Sequence, residues 1–272
     1  MTTHQILSAD TSFGKLAYII DGALHQGALP VVLMQRFRGT MDDWDPSFIQ
    51  ALAATRPVIR FDSAGIGRSE GTTPDSIEGM ADVAIAFLKA VKLSKVDLLG
   101  WSLGGMVAQH VALKDQALVN RLIIAGSGSS FDADGTQPDP RIRSVATKPE
   151  IVDEDFLFLF FTDDEIGVNA GRAHLARLEA AGNRGPLVRM ESIMQQGRAL
   201  QTWQGARSRL GELKLPILVA NGVADIMEPA YRSYVISQEA PNAKAVLYPN
   251  SGHGFLFQHI DEFVGEVDRF LQ

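Results

Sequence analysis

The sequence predicts an α/β fold, a mostly parallel sheet flanked by helices, and three observations carry that prediction. Short apolar runs, several of them rich in β-branched residues, recur along the chain; helical patterns with a 3.6-residue period separate them; and the alternation stops once, after Gly128, before it resumes.

The runs are Val31 to Met34, Val58 to Phe61, Val96 to Leu99, Leu122 to Ala125, Ile217 to Ala220 and Ala245 to Tyr248. Largely unbroken apolar character is what a strand buried on both faces requires. Between them, Ile77, Met80, Ala81, Ala84, Leu88 and Val91 line one helical face, and Ile260, Phe263, Val264, Val267, Phe270 and Leu271 line another. Strands that alternate with such helices pair in parallel through right-handed crossovers, so helices cover both faces of an open sheet. Leu16 to Ile20 alternates instead and precedes the turn signal Asp21-Gly22, which predicts part of an antiparallel hairpin at the sheet edge.

After Gly128 the breakers Asp132, Asp134, Gly135, Pro138, Asp139 and Pro140 predict a loop. From Asp153 to about Trp203 the pattern is helical, interrupted at Gly182 and Gly185-Pro186, and strand signals return only at Pro216. We therefore divide the chain into a core of residues 1–127 and 213–272 and a helical cap of residues 128–212. Phe156 to Phe161 is too continuously apolar for an ordinary surface helix, so it must pack on the sheet domain and on itself or line a pocket.

Composition removes several functions. The formal charge of −7 opposes a nucleic-acid partner, because neutralising phosphates needs a clustered Lys/Arg surface. The absence of cysteine excludes disulfides, thiolate metal sites and a cysteine nucleophile. Met1 to Asp10 lacks the basic start and apolar run of a secretory signal, and Phe156 to Phe161 falls far short of the ~20 residues that cross a bilayer. The expected location is cytoplasmic, away from membrane, with a small molecule as partner.

The chemistry is carried by three strand ends. Val96 to Leu99 runs into Gly100-Trp101-Ser102-Leu103-Gly104-Gly105 and then into the helix-compatible Met106 to Leu113. In such a turn the glycines let the backbone bend so sharply that the serine stands exposed next to a helix N-terminus. A serine hydroxyl becomes a nucleophile only when a base takes its proton and an acid holds that base. Asp225 follows the strand Ile217 to Ala220, before a helical stretch from Glu228 to Glu239, and is the candidate acid. His253 follows the last strand and is the candidate base. His4 and His25 lie in or near the N-terminal hairpin, His110 and His259 on expected helices and His174 in the cap, so His253 alone occupies a strand-end loop.

These motifs resemble the α/β-hydrolase superfamily, in its capped esterase and lactonase branch, over nearly the whole chain. Asp62-Ser63-Ala64-Gly65-Ile66-Gly67-Arg68-Ser69 is similar to the family's D-x-x-G-x-G-x-S loop, and Gly100 to Gly105 to its nucleophile elbow. The resemblance implies an eight-stranded, mostly parallel sheet with an inserted helical cap, and a triad in the order Ser102, Asp225, His253. It also implies an oxyanion hole built from the backbone N–H groups of Leu103 and of Phe37, in the loop after Val31 to Met34. That loop departs from the family's pattern: Gln35 stands where histidine is usual and Arg36 where glycine is usual.

Arg36 and Arg38 are then either solvated loop charges or, for one of them, a contact for an acidic group on the substrate. Trp101, Phe37, Met227 and Phe255 neighbour the catalytic positions in sequence and are candidate walls of an apolar acyl or aryl pocket, with Arg36, Trp101, Met227 and Phe255 taken as the substrate-binding set. The expected function is hydrolysis of a small carboxylic ester or lactone through an acyl-enzyme, with no metal or organic cofactor. A cofactor-free perhydrolase, a carbon–carbon bond hydrolase or lyase, or a non-turnover ligand receptor would use the same scaffold.

Overall fold

A computed structural model describes residues 5–22, 28–131, 139–182 and 184–272. His4, His25 and the breakers from Asp132 to Pro138 lie outside the described residues. Eight strands form one sheet: β1 (Leu7–Thr11), β2 (Gly14–Asp21), β3 (Val31–Met34), β4 (Val58–Phe61), β5 (Val96–Trp101), β6 (Val119–Ala125), β7 (Ile217–Gly222) and β8 (Ala243–Tyr248). Their order is β1-β2-β4-β3-β5-β6-β7-β8. The β1–β2 and β2–β4 pairs are antiparallel and the rest parallel, as expected. The hairpin closes at its other end, however. Its turn lies between Thr11 and Gly14, and Asp21-Gly22 instead ends the strand that pairs with β4.

Period-two alternation divides each strand between two cores. Val32, Met34, Ile59, Leu98, Leu122, Ile124 and Val219 face one side, where α2 (Ile77–Ala90), α3 (Leu103–Lys114) and α8 (Ala230–Glu239) pack. Val31, Leu33, Val58, Leu99, Ile123 and Leu218 face the other, against α1 (Pro46–Ala53), α9 (Phe255–Gln258) and α10 (Ile260–Phe270). The helix α2 starts where the Ser76 side chain accepts the Gly79 N–H, and its Ile77, Met80, Ala81, Ala84 and Leu88 are buried, as the spacing predicts. The expected helix at Glu228 begins later, at Ala230, because Pro229 occupies its N-cap.

Between β6 and β7 run α4 (Pro140–Ala146), α5 (Asp153–Phe160), α6 (Glu165–Ala181) and α7 (Met190–Thr202). Asp139 and Pro140, expected in a loop, start α4: Asp139 caps it by accepting from Arg141 N–H, and Pro140 takes the first helical position, where its missing N–H costs nothing. The helical stretch also breaks after Phe161, where Asp164 opens α6 as its N-cap, and it ends at Gly182 in the left-handed conformation. Phe156, Leu159 and Phe160 of α5 join the α1/α10 core, so this apolar run packs on the sheet domain.

Candidate active site

The site lies at the carboxyl ends of β3, β5, β7 and β8. Ser102 follows β5 directly and caps α3 with φ 57° and ψ −122°, a conformation that costs a non-glycine residue about 1–3 kcal/mol. Its side chain makes no capping hydrogen bond and keeps some exposure, so Oγ is held at the helix head yet uncommitted. The two flanking glycines are needed for space. A Cβ at Gly100 would collide with the Gly104 carbonyl, and one at Gly104 with the carbonyl of Met34.

Asp225, in the loop after β7, is buried and takes three hydrogen bonds. Its Oδ1 accepts from the N–H groups of Met227 and Glu228, both at 2.9 Å, and its Oδ2 lies 2.6 Å from His253 Nδ1. His253 is 1% exposed, and its Nε2 is shut from solvent with no hydrogen-bond partner among the described residues. The histidine is fixed from both sides: Trp101 Nε1–H donates to its carbonyl at 3.1 Å, and the Trp101 and Phe160 rings lie 5.7 and 5.5 Å from its own. The structure thus brings the neighbour of Ser102 against His253, and Asp225 against the far nitrogen of that ring.

The loop after β3 is organised by Gln35, whose role the sequence did not disclose. Its Oε1 accepts the Arg36 N–H at 2.9 Å and its Nε2 donates to the Thr40 carbonyl at 3.0 Å, which ties the loop across its mouth. The Arg36 carbonyl accepts from Gly39 N–H at 3.1 Å. Carbonyl and N–H point opposite ways across a trans peptide, so this bond turns the Phe37 N–H outward. The same logic holds at α3, where the Ser102 carbonyl accepts from Gly105 and Met106 and Leu103 N–H points away from the helix. Neither Phe37 N–H nor Leu103 N–H has a hydrogen-bond partner among the described residues.

The remaining candidates separate. Arg36 is no solvated charge: its guanidinium lies over the rings of Trp101, Phe156 and Phe160. Arg38 turns away and donates to the carbonyls of Ala146, Lys148 and Pro149, clamping the end of α4. Met227 and Phe37 are half-buried beside the site. Phe255, expected in a pocket wall, is instead sealed in the core between Tyr248 and Phe263, because α9 starts at Phe255 and turns it under the sheet end. His259 sits at the junction of α9 and α10 rather than within a helix.

One acidic residue escaped sequence reasoning. Glu228 is buried three positions after Asp225, with Arg232 Nη1 3.2 Å from its carboxylate. Burial pushes its carboxyl up to about 7, helped by the charge of Asp225 and opposed by Arg232 and His253. The signal was the i, i+4 Glu–Arg spacing, which sequence alone assigns to any exposed helix. Among the described residues, no group of three or more His, Asp or Glu is arranged to hold a metal ion, and no helix is long and apolar enough to cross a membrane.

A family model described as the alpha/beta hydrolase fold matches residues 30–260, and the chain belongs to that family. A pimeloyl-(acyl-carrier protein) methyl ester esterase from Pectobacterium atrosepticum is 26% identical over 249 residues, covering 90% of this chain and 95% of that protein. The solved alpha/beta hydrolase fold protein from Chitinophaga pinensis superposes with a TM-score of 0.87 at 28% identity, covering 99% of this chain and 98% of the other. An enol-lactonase from Burkholderia xenovorans shares the fold, with a TM-score of 0.80 at 20% identity over 97% of this chain and 99% of the other.

Proposed function

We propose that this hydrolase cleaves a small carboxylic ester or lactone through an acyl-enzyme on Ser102. The observation that supports the reading is the state of His253: one ring nitrogen is held by Asp225 at 2.6 Å, and the other is buried without a partner among the described residues, on a ring packed 5.7 Å from that of Trp101, the residue before Ser102. Asp225, already fixed by two backbone N–H groups, keeps the proton on Nδ1, so Nε2 presents a lone pair.

In this reading Nε2 takes the Ser102 proton as Oγ attacks the carbonyl carbon. The tetrahedral oxyanion is received by the N–H groups of Phe37 and Leu103, which are oriented before substrate arrives. His253 then protonates the departing alcohol, or the ring oxygen of an opened lactone, and water releases the acid by the reverse sequence. Residues 128–212 act as a cap that covers the substrate, supported by the packing of Phe160 against both His253 and Trp101. The relatives named as esterases fit this bond class. A panel of short-chain esters, lactones, thioesters and amides tests it: repeated turnover of esters or lactones is expected, with a loss of several decades in Ser102→Ala, and undiminished turnover in that variant would refute it.

A further inference from the structure

Arg36, half-buried as a residue but with its Nε shut from solvent, differs from the buried arginines in having no acid. Arg60 pairs with Asp21 at 2.7 Å, Arg232 with Glu228 at 3.2 Å and Arg56 with Asp268 at 3.2 Å. No carboxylate among the described residues lies within ion-pair distance of Arg36. Its guanidinium is sandwiched among aromatic faces, with Cζ 5.0 Å from the Phe160 centroid and 5.7 Å from those of Trp101 and Phe156. Nη1 donates to the Phe37 carbonyl at 2.9 Å, and Nε is shut from water with no acceptor.

Aromatic faces attract a cation but accept none of its hydrogen bonds in full, so they offset only part of the cost of burying it. Burial, together with Arg184 and Arg38 and against Asp43, holds this guanidinium below its usual range. Asp43 is not a free counter-ion, since its carboxylate already accepts from Thr40 N–H and Oγ1.

The place of this unpaired cation gives it a use. Trp101 and Phe160, two of its three rings, also flank His253. Arg36 also lines, with Gln35, Leu103 and Gly104, a cavity of about 50 Å³ that reaches Phe61 and Met80 on the α2/α3 side of the sheet; Trp101, Phe156 and Phe160 are not among its walls. That volume is several times the ~10–15 Å³ that one water requires.

We propose that Arg36 is the anchor for a carboxylate carried by the substrate, so that the natural ester or lactone bears a free acid group apart from the bond that is cleaved. This rests on the hydrolase reading above and narrows its substrate class. A carboxylate would supply the acceptors that Nε lacks and the counter-charge that no described side chain provides. It would do so in a desolvated setting where a forked, charge-assisted contact is strong. The rings exclude water from the pair, and the guanidinium stays tethered to the Phe37 peptide, so binding of the acid also steadies the proposed oxyanion loop.

The test compares monobutyl adipate with butyl hexanoate, followed by acid release in a pH-stat, in the wild type, Arg36→Gln and Arg36→Lys. The wild type is expected to prefer the hemiester at least tenfold in kcat/KM. That ratio should fall about 10- to 100-fold in Arg36→Gln, mainly through KM, and by less in Arg36→Lys, which keeps the charge without the fork. A wild-type ratio near or below one overturns the proposal even if Arg36→Gln fails to fold, and so does a ratio equal in wild type and Arg36→Gln. In those cases continued cleavage of butyl hexanoate would leave the hydrolase reading standing. If neither ester is cleaved, the hydrolase reading is what suffers, and adipate binding is read directly by thermal shift: stabilisation of the wild type but not of Arg36→Gln supports the carboxylate site, and no difference overturns it.

Discussion

Two buried aspartate–histidine pairs sit in this molecule with nearly the same bond. In one, His253 Nδ1 is 2.6 Å from Asp225; in the other, His174 Nδ1 on α6 is 2.7 Å from Asp45, the N-cap of α1. Their surroundings differ. Asp45 is also gripped by Arg177 at 2.6 and 2.9 Å, and His174 is stacked flat on Phe257, centroids 4.4 Å apart, with Phe156 on its flank. Arg177 further donates to the Phe257 carbonyl, so the cluster ties α6 to the sheet domain. The first pair ends at a buried nitrogen without a partner among the described residues, on a histidine packed against Trp101, the neighbour of Ser102. An Asp–His contact is therefore no signature of catalysis by itself; in the proposed reading the first histidine is a base and the second a strut.

The comparison breaks most visibly under substitutions that remove charge and keep shape. Asp225→Asn is expected to lower kcat by about 10³–10⁴-fold by favouring the wrong tautomer of His253, whereas Asp45→Asn should leave kcat within tenfold. Equal losses in ester turnover assays would erase the distinction. Stability should answer in reverse: Asp45→Ala strands His174 and Arg177 and should cost about 2–4 kcal/mol in urea unfolding, toward the lower end because Arg177 is 29% exposed. Ser102→Ala, which relieves no packing and removes no bond, should melt close to the wild type.

The pH dependence of folding sharpens the contrast further. Glu228, beside the first pair, has a carboxyl raised from 4.5 to about 7, so between those values the folded chain holds a proton that the unfolded chain has lost. Stability must then fall as pH rises through this window, by on the order of 3 kcal/mol from this group, and the fall should be missing in Glu228→Gln. His174 works the other way. Burial lowers its affinity for a proton, with the Asp45 contact opposing and not overcoming that shift. Below about 6.5 the unfolded chain binds a proton that the folded one refuses, so stability falls as pH drops. Urea midpoints of wild type, Glu228→Gln and His174→Gln from pH 5 to 8 would resolve the two opposing slopes, and parallel curves for all three would contradict both assignments.

Much of the sheet was legible because its physics is local. The bounds of β3 and β4 coincide with the runs that predict them, since a strand buried on both faces is written largely in apolar residues, with Arg60 of β4 tolerated by its pairing with Asp21. The helices between β6 and β7 were less so. Asp139-Pro140 signals a loop and a helix start equally well, and Phe161 breaks the run because the chain must turn there to let Asp164 cap α6. Strand ends and order singled out Ser102, Asp225 and His253, and of these the Asp225–His253 bond is seen. Arg36 was singled out from its place in the loop, but its aromatic neighbours Phe156 and Phe160 were not legible because they are distant in sequence; Gln35 and Glu228 were missed because their roles depend on loop bonds and on burial that no spacing encodes. Phe255 shows the same limit from the other side: adjacency to His253 in sequence placed it in a pocket, and a short helix turned it into the core.

The most direct test is covalent labelling. A fluorophosphonate that mimics the tetrahedral intermediate should add one equivalent to the wild type, mapped by peptide mass spectrometry to Ser102. It should add none to Ser102→Ala, and its rate of addition to His253→Ala should fall by at least 100-fold, while Asp45→Asn is labelled at close to the wild-type rate. An adduct on any other residue, or unslowed labelling of Ser102 in His253→Ala, would contradict the claim that Ser102 is the nucleophile and His253 its base.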